Sequence, residues 1–310
     1  MRIAVLAGGV GGARFVRALT EVVDPRQVTV IVNVGDDLEV HGLYVSPDLD
    51  TLLYTLSGLG DDERGWGRAG ETWNASETIE LLGGETWFQL GDRDIGLHVV
   101  RTEAMRRGDS LSAVTTRLAR SVGLEVALLP ATDDRLRTRI RTPAGEFELQ
   151  EWFVARGHRD TVNEVVYEGA EAARPAAGVL EGLEAAELIA IAPSNPFVSI
   201  GPILAVSAIR AAVERRRDRV VAVSPLIGGR AVKGPADAMF TSLAGGTGAA
   251  QVTDCYKDLA AALVLDEADA DDADAVADRG VRPLVTTTLM SEPAARRALV
   301  ETVLGLTRAV

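Results

Sequence analysis

The chain has 310 residues, 47% of them hydrophobic and 25% charged, with a formal net charge of −13. That excess of acid excludes nucleic-acid binding by bulk electrostatics, and no apolar run approaches the ~20 residues a membrane span needs. The single cysteine, Cys255, excludes an intramolecular disulfide and suits the cytoplasm, while the length suits one large domain or a core with a subdomain.

Residues Ile3–Ala7 read as a buried strand, followed at once by Gly8-Gly9-Val10-Gly11-Gly12. Glycine lets the backbone turn sharply and another molecule approach without a Cβ in the way. Apolar residues at Ala13, Phe15, Val16, Ala18 and Leu19 predict a helix from just after the loop. Strand, loop and helix N-terminus together make an anion site, where free N–H groups and the helix dipole face one point. Phosphate is the expected anion; a tight turn without a ligand is the alternative. The dinucleotide fingerprint wants glycine at positions one, three and six. Counting from Gly9, the third position is Gly11 but the sixth is Arg14, and no Gly-Lys-Ser/Thr follows. The apolar run from Ile3 ends in glycine too soon for a secretory signal peptide.

A second run, Val28–Val34, leads into Asn33-Val34-Gly35-Asp36-Asp37. Then Ser46-Pro47-Asp48-Leu49-Asp50-Thr51 opens an apolar helix through Leu52, Leu53, Tyr54 and Leu56. Asp36, Asp37, Asp48 and Asp50 are expected to rim one cleft. Such hard oxygen ligands suit Mg²⁺, which takes one or two carboxylates plus substrate phosphates. Equally, Asp48 or Asp50 suits a cap on the helix that follows, and Asp36-Asp37 suits a turn. Residues 60–100 break the rhythm, with Trp66, Trp73 and Trp87 among glycines and polar residues. In Gly91-Asp92-Arg93-Asp94, Arg93 has the geometry to clamp a phosphate or carboxylate, although a charged loop is usually solvated. No pair among His41, His98 and His158 has metal-ligand spacing, so no zinc site is expected. Of the three only His98, four residues beyond Asp94, suits a place near a site, and a packed or exposed histidine is the better reading.

A helix is predicted over Leu111–Val122 and a strand over Val126–Pro130. Residues 136–170 alternate: Thr138-Arg139-Ile140-Arg141-Thr142, a turn at Pro143-Ala144-Gly145, then Glu146–Leu149, which is a hairpin signal. Further strands are predicted over Leu188–Ala192, Val220–Ser224, Leu263–Asp266 and Pro283–Thr287, with helices over Val179–Leu188, Pro202–Arg216, Asp254–Ala262 and Pro293–Arg308. Most strands are continuous Val, Ile, Leu and Ala, as expected when both faces are covered. The alternation predicts an α/β fold, a doubly wound, mostly parallel Rossmann-like sheet. Residues 1–59, 101–135 and 171–310 are expected to form this core. Residues 60–100 and 136–170 are expected to form a smaller inserted α+β subdomain over the active-site mouth.

Ligands of such sheets gather beyond the carboxyl ends of the strands. The loops there include Pro193-Ser194-Asn195-Pro196, Ser224-Pro225-Leu226-Ile227-Gly228-Gly229 and Val232-Lys233-Gly234-Pro235. Ser194 and Asn195 suit the edge of a base or ribose, or the cap of a helix. Lys233 stands out because only Lys233 and Lys257 are lysines. The acidic run Asp266–Asp274 reads as a solvated helix face or loop, and Cys255 as a small residue on a helix face.

These motifs, in this order, closely resemble the 2-phospho-L-lactate transferase (CofD/FbiA) family of coenzyme F-420 biosynthesis, and the resemblance covers essentially the whole chain. It implies an Mg²⁺-dependent transferase. The enzyme would move a phospho-acid from a guanosine diphosphate-linked donor to the ribityl hydroxyl of the deazaflavin Fo. GMP would leave and a phosphodiester would form. By the same resemblance Gly9, Val10, Gly11 and Gly12 bind the donor's diphosphate, and Ser194, Asn195 and Gly228 line its guanosine end. Asp50, Thr51 and Arg93 shape the Fo pocket; Asp36, Asp48 and Asp50 are the metal ligands; Asp37, Asp48 and Asp50 are the catalytic candidates. Trp66 or Trp87 is placed to stack on the tricyclic ring. Many relatives have threonine where this chain has Val10, so backbone amides would bind phosphate alone. A homodimer is implied, with neither nucleic acid nor membrane as partner. Phosphoenolpyruvate is favoured over phospholactate, since the arginine and alanine bias points to a GC-rich genome. Two other readings are a sugar-nucleotide-binding regulator of the same superfamily and a nicotinamide-dependent oxidoreductase. Ser46–Thr51 with Gly91–Asp94 speaks for the transferase, and Arg14 at the sixth fingerprint position speaks against the oxidoreductase.

Overall fold

Short Val, Ile, Leu and Ala runs, each ended by glycine, proline or a polar residue, become the strands. The computed structural model describes residues 1–308. It begins with β1 (Ile3–Ala7), α1 (Gly9–Thr20) and β2 (Val28–Val32). A hairpin of β3 (Leu38–Val40) and β4 (Leu43–Val45) leads to α2 (Pro47–Ser57), α3 (Asn74–Leu81), α4 (Asp92–Arg106) and α5 (Leu111–Ser121). After β5 (Ala127–Pro130) come β6 (Arg137–Thr142), β7 (Gly145–Glu148) and β8 (Glu164–Glu168). The chain returns through α6 (Val179–Ala185), β9 (Leu188–Ile191), α7 (Gly201–Ala205), α8 (Ser207–Glu214) and β10 (Val220–Val223). It ends with β11 (Leu226–Ile227), β12 (Arg230–Ala231), α9 (Ala236–Ala244), α10 (Ala249–Tyr256), β13 (Ala262–Leu265), α11 (Ala273–Ala277), β14 (Arg282–Val285) and α12 (Pro293–Leu304).

Seven strands form one sheet in the order β14-β13-β10-β9-β1-β2-β5, and every neighbouring pair is parallel. Alternation along β1 sends Ala4 and Leu6 into a core with Leu183, Ile203 and Phe240. Ile3, Val5 and Ala7 enter the opposite core with Phe15, Leu52 and Leu299. Helices therefore cover both faces, which is the doubly wound α/β architecture. From β1 the chain winds outward through β2 to β5, then resumes on the other side at β9. The switch between β1 and β9 leaves a crevice above their carboxyl ends.

The hairpin at Thr138–Leu149 forms as β6 and β7, with Thr142 opposite Gly145. Strand β8 pairs on the other edge of β6, completing a three-stranded antiparallel sheet. Its Ile140, with Leu149 and Trp152 just after β7, packs on Val198 and Met239 of the main body. Helix α4 runs through position 100, where the segment 60–100 was expected to end.

Three predicted elements shift. The run Val28–Val34 leaves the sheet after Val32, because the Asn33 side chain accepts the Gly35 N–H at 2.7 Å and turns the backbone. The single helix expected over Pro202–Arg216 is two, bent by 96° with the preceding turn. Val206 between them is extended, with ψ 102°. The helix expected over Asp254–Ala262 starts earlier, at Ala249. There Gln251 accepts the Gly248 N–H at 3.1 Å and Asp272 accepts that of Ala249 at 3.1 Å. No single described helix is long and apolar enough to cross a membrane.

Candidate active site

A cavity of about 680 Å³ opens at the switch point, and the residues after β1, β9 and β10 form one side of it. The β1 and β9 loops are stitched together: the Ser194 hydroxyl donates to the Gly8 carbonyl at 2.7 Å and accepts the Gly8 N–H at 3.3 Å. The fit is so close that a Cβ on Gly11 would lie 2.6 Å from the Pro193 carbonyl oxygen. Gly9 needs its identity for a different reason, a left-handed φ of +65°. The first-turn amides of Val10 and Gly11 have no intrahelical acceptor, and both residues face the cavity. The loop therefore has the donors of an anion site at the positive end of α1.

Asp48 approaches this loop from α2. Its Oδ1 accepts the Gly9 N–H at 2.6 Å, and its Oδ2 accepts from Asn33 Nδ2 at 2.9 Å. The same amide donates to Asp36 Oδ1 at 3.1 Å, while Gln150 donates to Asp36 Oδ2 at 2.9 Å. Burial pushes the Asp48 carboxyl up to about 6, although the bonds from Asn33 and Gly9 hold it down. Burial and then the charges of Asp48 and Asp37 raise Asp36 well above the usual carboxylate range. Two buried carboxylates thus share one neutral donor, and an added cation would relieve both.

Asp50 has the opposite surroundings. Arg101 Nη1 donates to its Oδ2 at 3.0 Å, and Nη2 binds Oδ1. Part of the cavity wall is aromatic. Trp66 and Trp87 remain 40% and 38% exposed, and Phe88, Trp152 and Phe153 also face the cavity. The Arg64 guanidinium lies 4.9 Å from the Trp66 ring centre and 5.1 Å from that of Trp73.

The family model of 2-phospho-L-lactate transferase CofD matches residues 3–284. The chain belongs to the CofD family. A phosphoenolpyruvate transferase of Nocardia farcinica is 41% identical over 98% of this chain and 94% of its own length. Those of Kitasatospora aureofaciens and Streptomyces coelicolor are 42% and 44% identical, over 100% and 91% of this chain and 99% and 90% of their own lengths. The solved structure of a UPF0052-family protein from Bacillus halodurans superimposes with a TM-score of 0.64, at 14% identity over 98% of both chains. That likeness shows the shared fold. As a CofD protein, the chain is a phospho-acid transferase.

In this CofD protein Gly9, Val10, Gly11, Asp36, Asp48, Asp50, Thr51, Ser194 and Asn195 all border the cavity. Four other expected site residues lie off its wall. Gly12 is packed under the β9 loop, where a Cβ would meet Ser194 Oγ at 2.7 Å. Asp37 is buried behind the β3–β4 hairpin, accepting from Tyr44 and Ser46 hydroxyls at 2.6 Å each. Arg93 is exposed and donates to the Ala69 carbonyl at 3.2 Å. The Gly228 N–H donates to Asp269 Oδ2 at 3.0 Å. Neither Asp48 nor Asp50 caps its own helix: Asp48 bonds across to α1 and Asp50 to α4. Asn195 does act as a cap, accepting the Phe197 N–H at 2.9 Å.

The expected metal triad does not assemble, since Arg101 takes Asp50. Among the described residues no group of three or more His, Cys, Asp or Glu side chains is arranged to hold a metal. The acidic run is not simply solvated, because its carboxylates clamp neighbouring loops. Asp266 accepts the Thr288 N–H at 2.7 Å, and Asp269 accepts the Gly228 and Gly229 N–H groups at 3.0 and 3.1 Å. Cys255 is a helix-face residue; burial pushes its thiol up to about 12. Sequence reasoning missed Gln150 and the segment Thr288–Ser291, both on the cavity wall. The latter follows a parallel strand, so the strand-end rule would have found it.

Proposed function

We propose that the chain transfers a phosphoenolpyruvyl group from a guanosine diphosphate-linked donor to the terminal ribityl hydroxyl of Fo, in coenzyme F-420 biosynthesis. The hydroxyl oxygen forms a bond to the phosphorus bearing the acid, the diphosphate bridge breaks, and GMP departs as the phosphodiester forms. The curated relatives' name, phosphoenolpyruvate transferase, supports that acid over phospholactate. The observation that carries the reading is Asp48 bound to the Gly9 amide at the mouth of α1. It brings an acidic centre and an anion cradle to one point of a cavity that also has an aromatic wall.

In this reading the amides of Val10 and Gly11 hold the diphosphate, and the donor runs along Ser194 and Ser224 toward Thr288–Ser291. Trp66 and Trp87 flank the deazaflavin. Asp50, held still by Arg101, presents a fixed acceptor to the attacking hydroxyl. Segments 60–100 and 136–170 cover the mouth, contributing Trp66 and Trp87 from one and Gln150 and Phe153 from the other. Asp36 and Asp48 fit an Mg²⁺ site, because their paired charges lack a cation and Mg²⁺ needs only one or two carboxylates. When bound, the ion supplies charge neutralisation for the phosphates. Phosphoryl transfer depends on such positioning and neutralisation rather than on a covalent nucleophile. The test mixes the protein with Fo, Mg²⁺ and each synthetic donor and follows product mass. Formation of the phosphodiester with the phosphoenolpyruvyl donor is expected; no product with either donor overturns the proposal.

A further inference from the structure

His98 is 1% exposed, yet it borders the cavity and its Nε2 has no hydrogen-bond partner. Its Nδ1 lies 3.4 Å from Arg101 Nη1. A guanidinium only donates, so Nδ1 is the acceptor and the ring proton sits on Nε2. Asp50 Oδ2, at 3.7 Å from Nδ1, is beyond hydrogen-bond range. Burial pushes the ring's pKa down to about 4, so the imidazole is neutral near pH 7. A buried N–H donor without an acceptor is costly unless a ligand supplies one.

Asp94 stands four residues earlier on α4, on the same helix face. It too borders the cavity. The Tyr54 hydroxyl binds its Oδ1, and its main-chain N–H donates to Glu71 at 3.0 Å. Oδ2 receives no bond from the described residues. Both residues thus border the cavity, His98 with an unpartnered N–H donor and Asp94 with a carboxylate oxygen that accepts no bond among the described residues. That pair of groups complements a cyclic imide, in which a carbonyl oxygen sits next to an N–H.

We propose that His98 and Asp94 read the imide edge of the acceptor's pyrimidinedione ring, with His98 Nε2–H on a carbonyl and Asp94 Oδ2 on the ring N–H. This rests on the reading of Fo as acceptor. It makes α4 the specificity element for that ring, while the aromatic wall supplies stacking without discrimination.

The test is a fluorescence titration of Fo, and of an Fo analogue methylated on the imide nitrogen, against wild type, His98→Ala and His98→Gln. Calorimetric titration with GDP reports an intact nucleotide site in each variant. Methylation is expected to weaken binding to wild type about tenfold, and His98→Ala to weaken Fo binding by a similar factor with GDP affinity unchanged. His98→Gln, which keeps an N–H donor, is expected to recover part of the loss. If wild type binds Fo but methylation and His98→Ala leave its affinity unchanged, this inference falls and the acceptor assignment stands. If wild type binds no Fo, both fall. The analogue arm needs no variant, so misfolding cannot mask the result.

Discussion

Asp48 and Asp50 sit two positions apart on α2, and residues so spaced face different ways round a helix. Asp48 meets the α1 amide and shares Asn33 with Asp36; Asp50 meets Arg101. Their substitutions should separate. Asp48→Asn removes one of two crowded charges, so activity is expected to fall about a hundredfold or more while the melting temperature holds or rises. Asp50→Ala strands the Arg101 charge in the interior, with an expected cost of roughly 3–5 kcal/mol, read by urea unfolding. Burial of the carboxyls shows in their protons. Folding holds protons on Asp37, Asp48 and Asp94 up to about 7, 6 and 6, whereas an unfolded aspartate releases its proton near ~4. The folded state binds more protons across that interval, so these groups lower stability as pH rises through it. His98, pushed down to about 4, acts in the opposite sense below its ordinary value of 6.5. Three groups outweigh one, and the melting temperature of the ligand-free protein is expected to fall from pH 5 to pH 7.5 by scanning calorimetry, at constant ionic strength. Residue types and their crowding in sequence were legible here; which carboxylate meets which partner was not, because an aspartate carries no record of its distant neighbour.

At the scale of elements, the glycine loop serves the protein's own packing as well as a ligand. Gly11→Ala would press a Cβ on the Pro193 carbonyl oxygen, 2.6 Å away. Backbone must shift to admit it, with an expected loss of about 1–3 kcal/mol in chemical denaturation. Asp269 plays a comparable part for the β11–β12 turn, whose Gly228 and Gly229 amides it holds. Asp269→Ala is expected to raise the KM for the donor with little change in kcat; a change in kcat alone would count against a purely positioning part. The loop's local character was readable from its glycines and the strand before it. The break at Val206 was not, because Pro202 near the start of a helix is compatible with one long helix, and only the packing of α7 and α8 forces the bend.

Across the whole molecule, the segment 60–100 and the loop after β12 meet at the cavity. Lys233 Nζ donates to the Gly65 carbonyl at 2.8 Å, joining loops 168 residues apart. Lys233→Met is expected to loosen this clasp and raise the KM for the acceptor, with little change in melting temperature; steady-state kinetics with varied Fo reads it. The alternation of apolar runs and amphipathic segments alone determined the α/β class, the parallel sheet and the strand-end loops that carry the site, because periodicity and turn chemistry act over a few residues. Only the tertiary structure decided which loop residues face the cavity. It moved Arg93, Gly228 and Asp37 off the wall, diverted Asp50 to Arg101 and turned the acidic run into clamps. Those pairings close over 39 residues for Gly9 and Asp48, 51 for Asp50 and Arg101, and 41 for Gly228 and Asp269. At such separations hydrogen-bond partners are chosen by how the strands and helices pack, which no local pattern in the chain encodes.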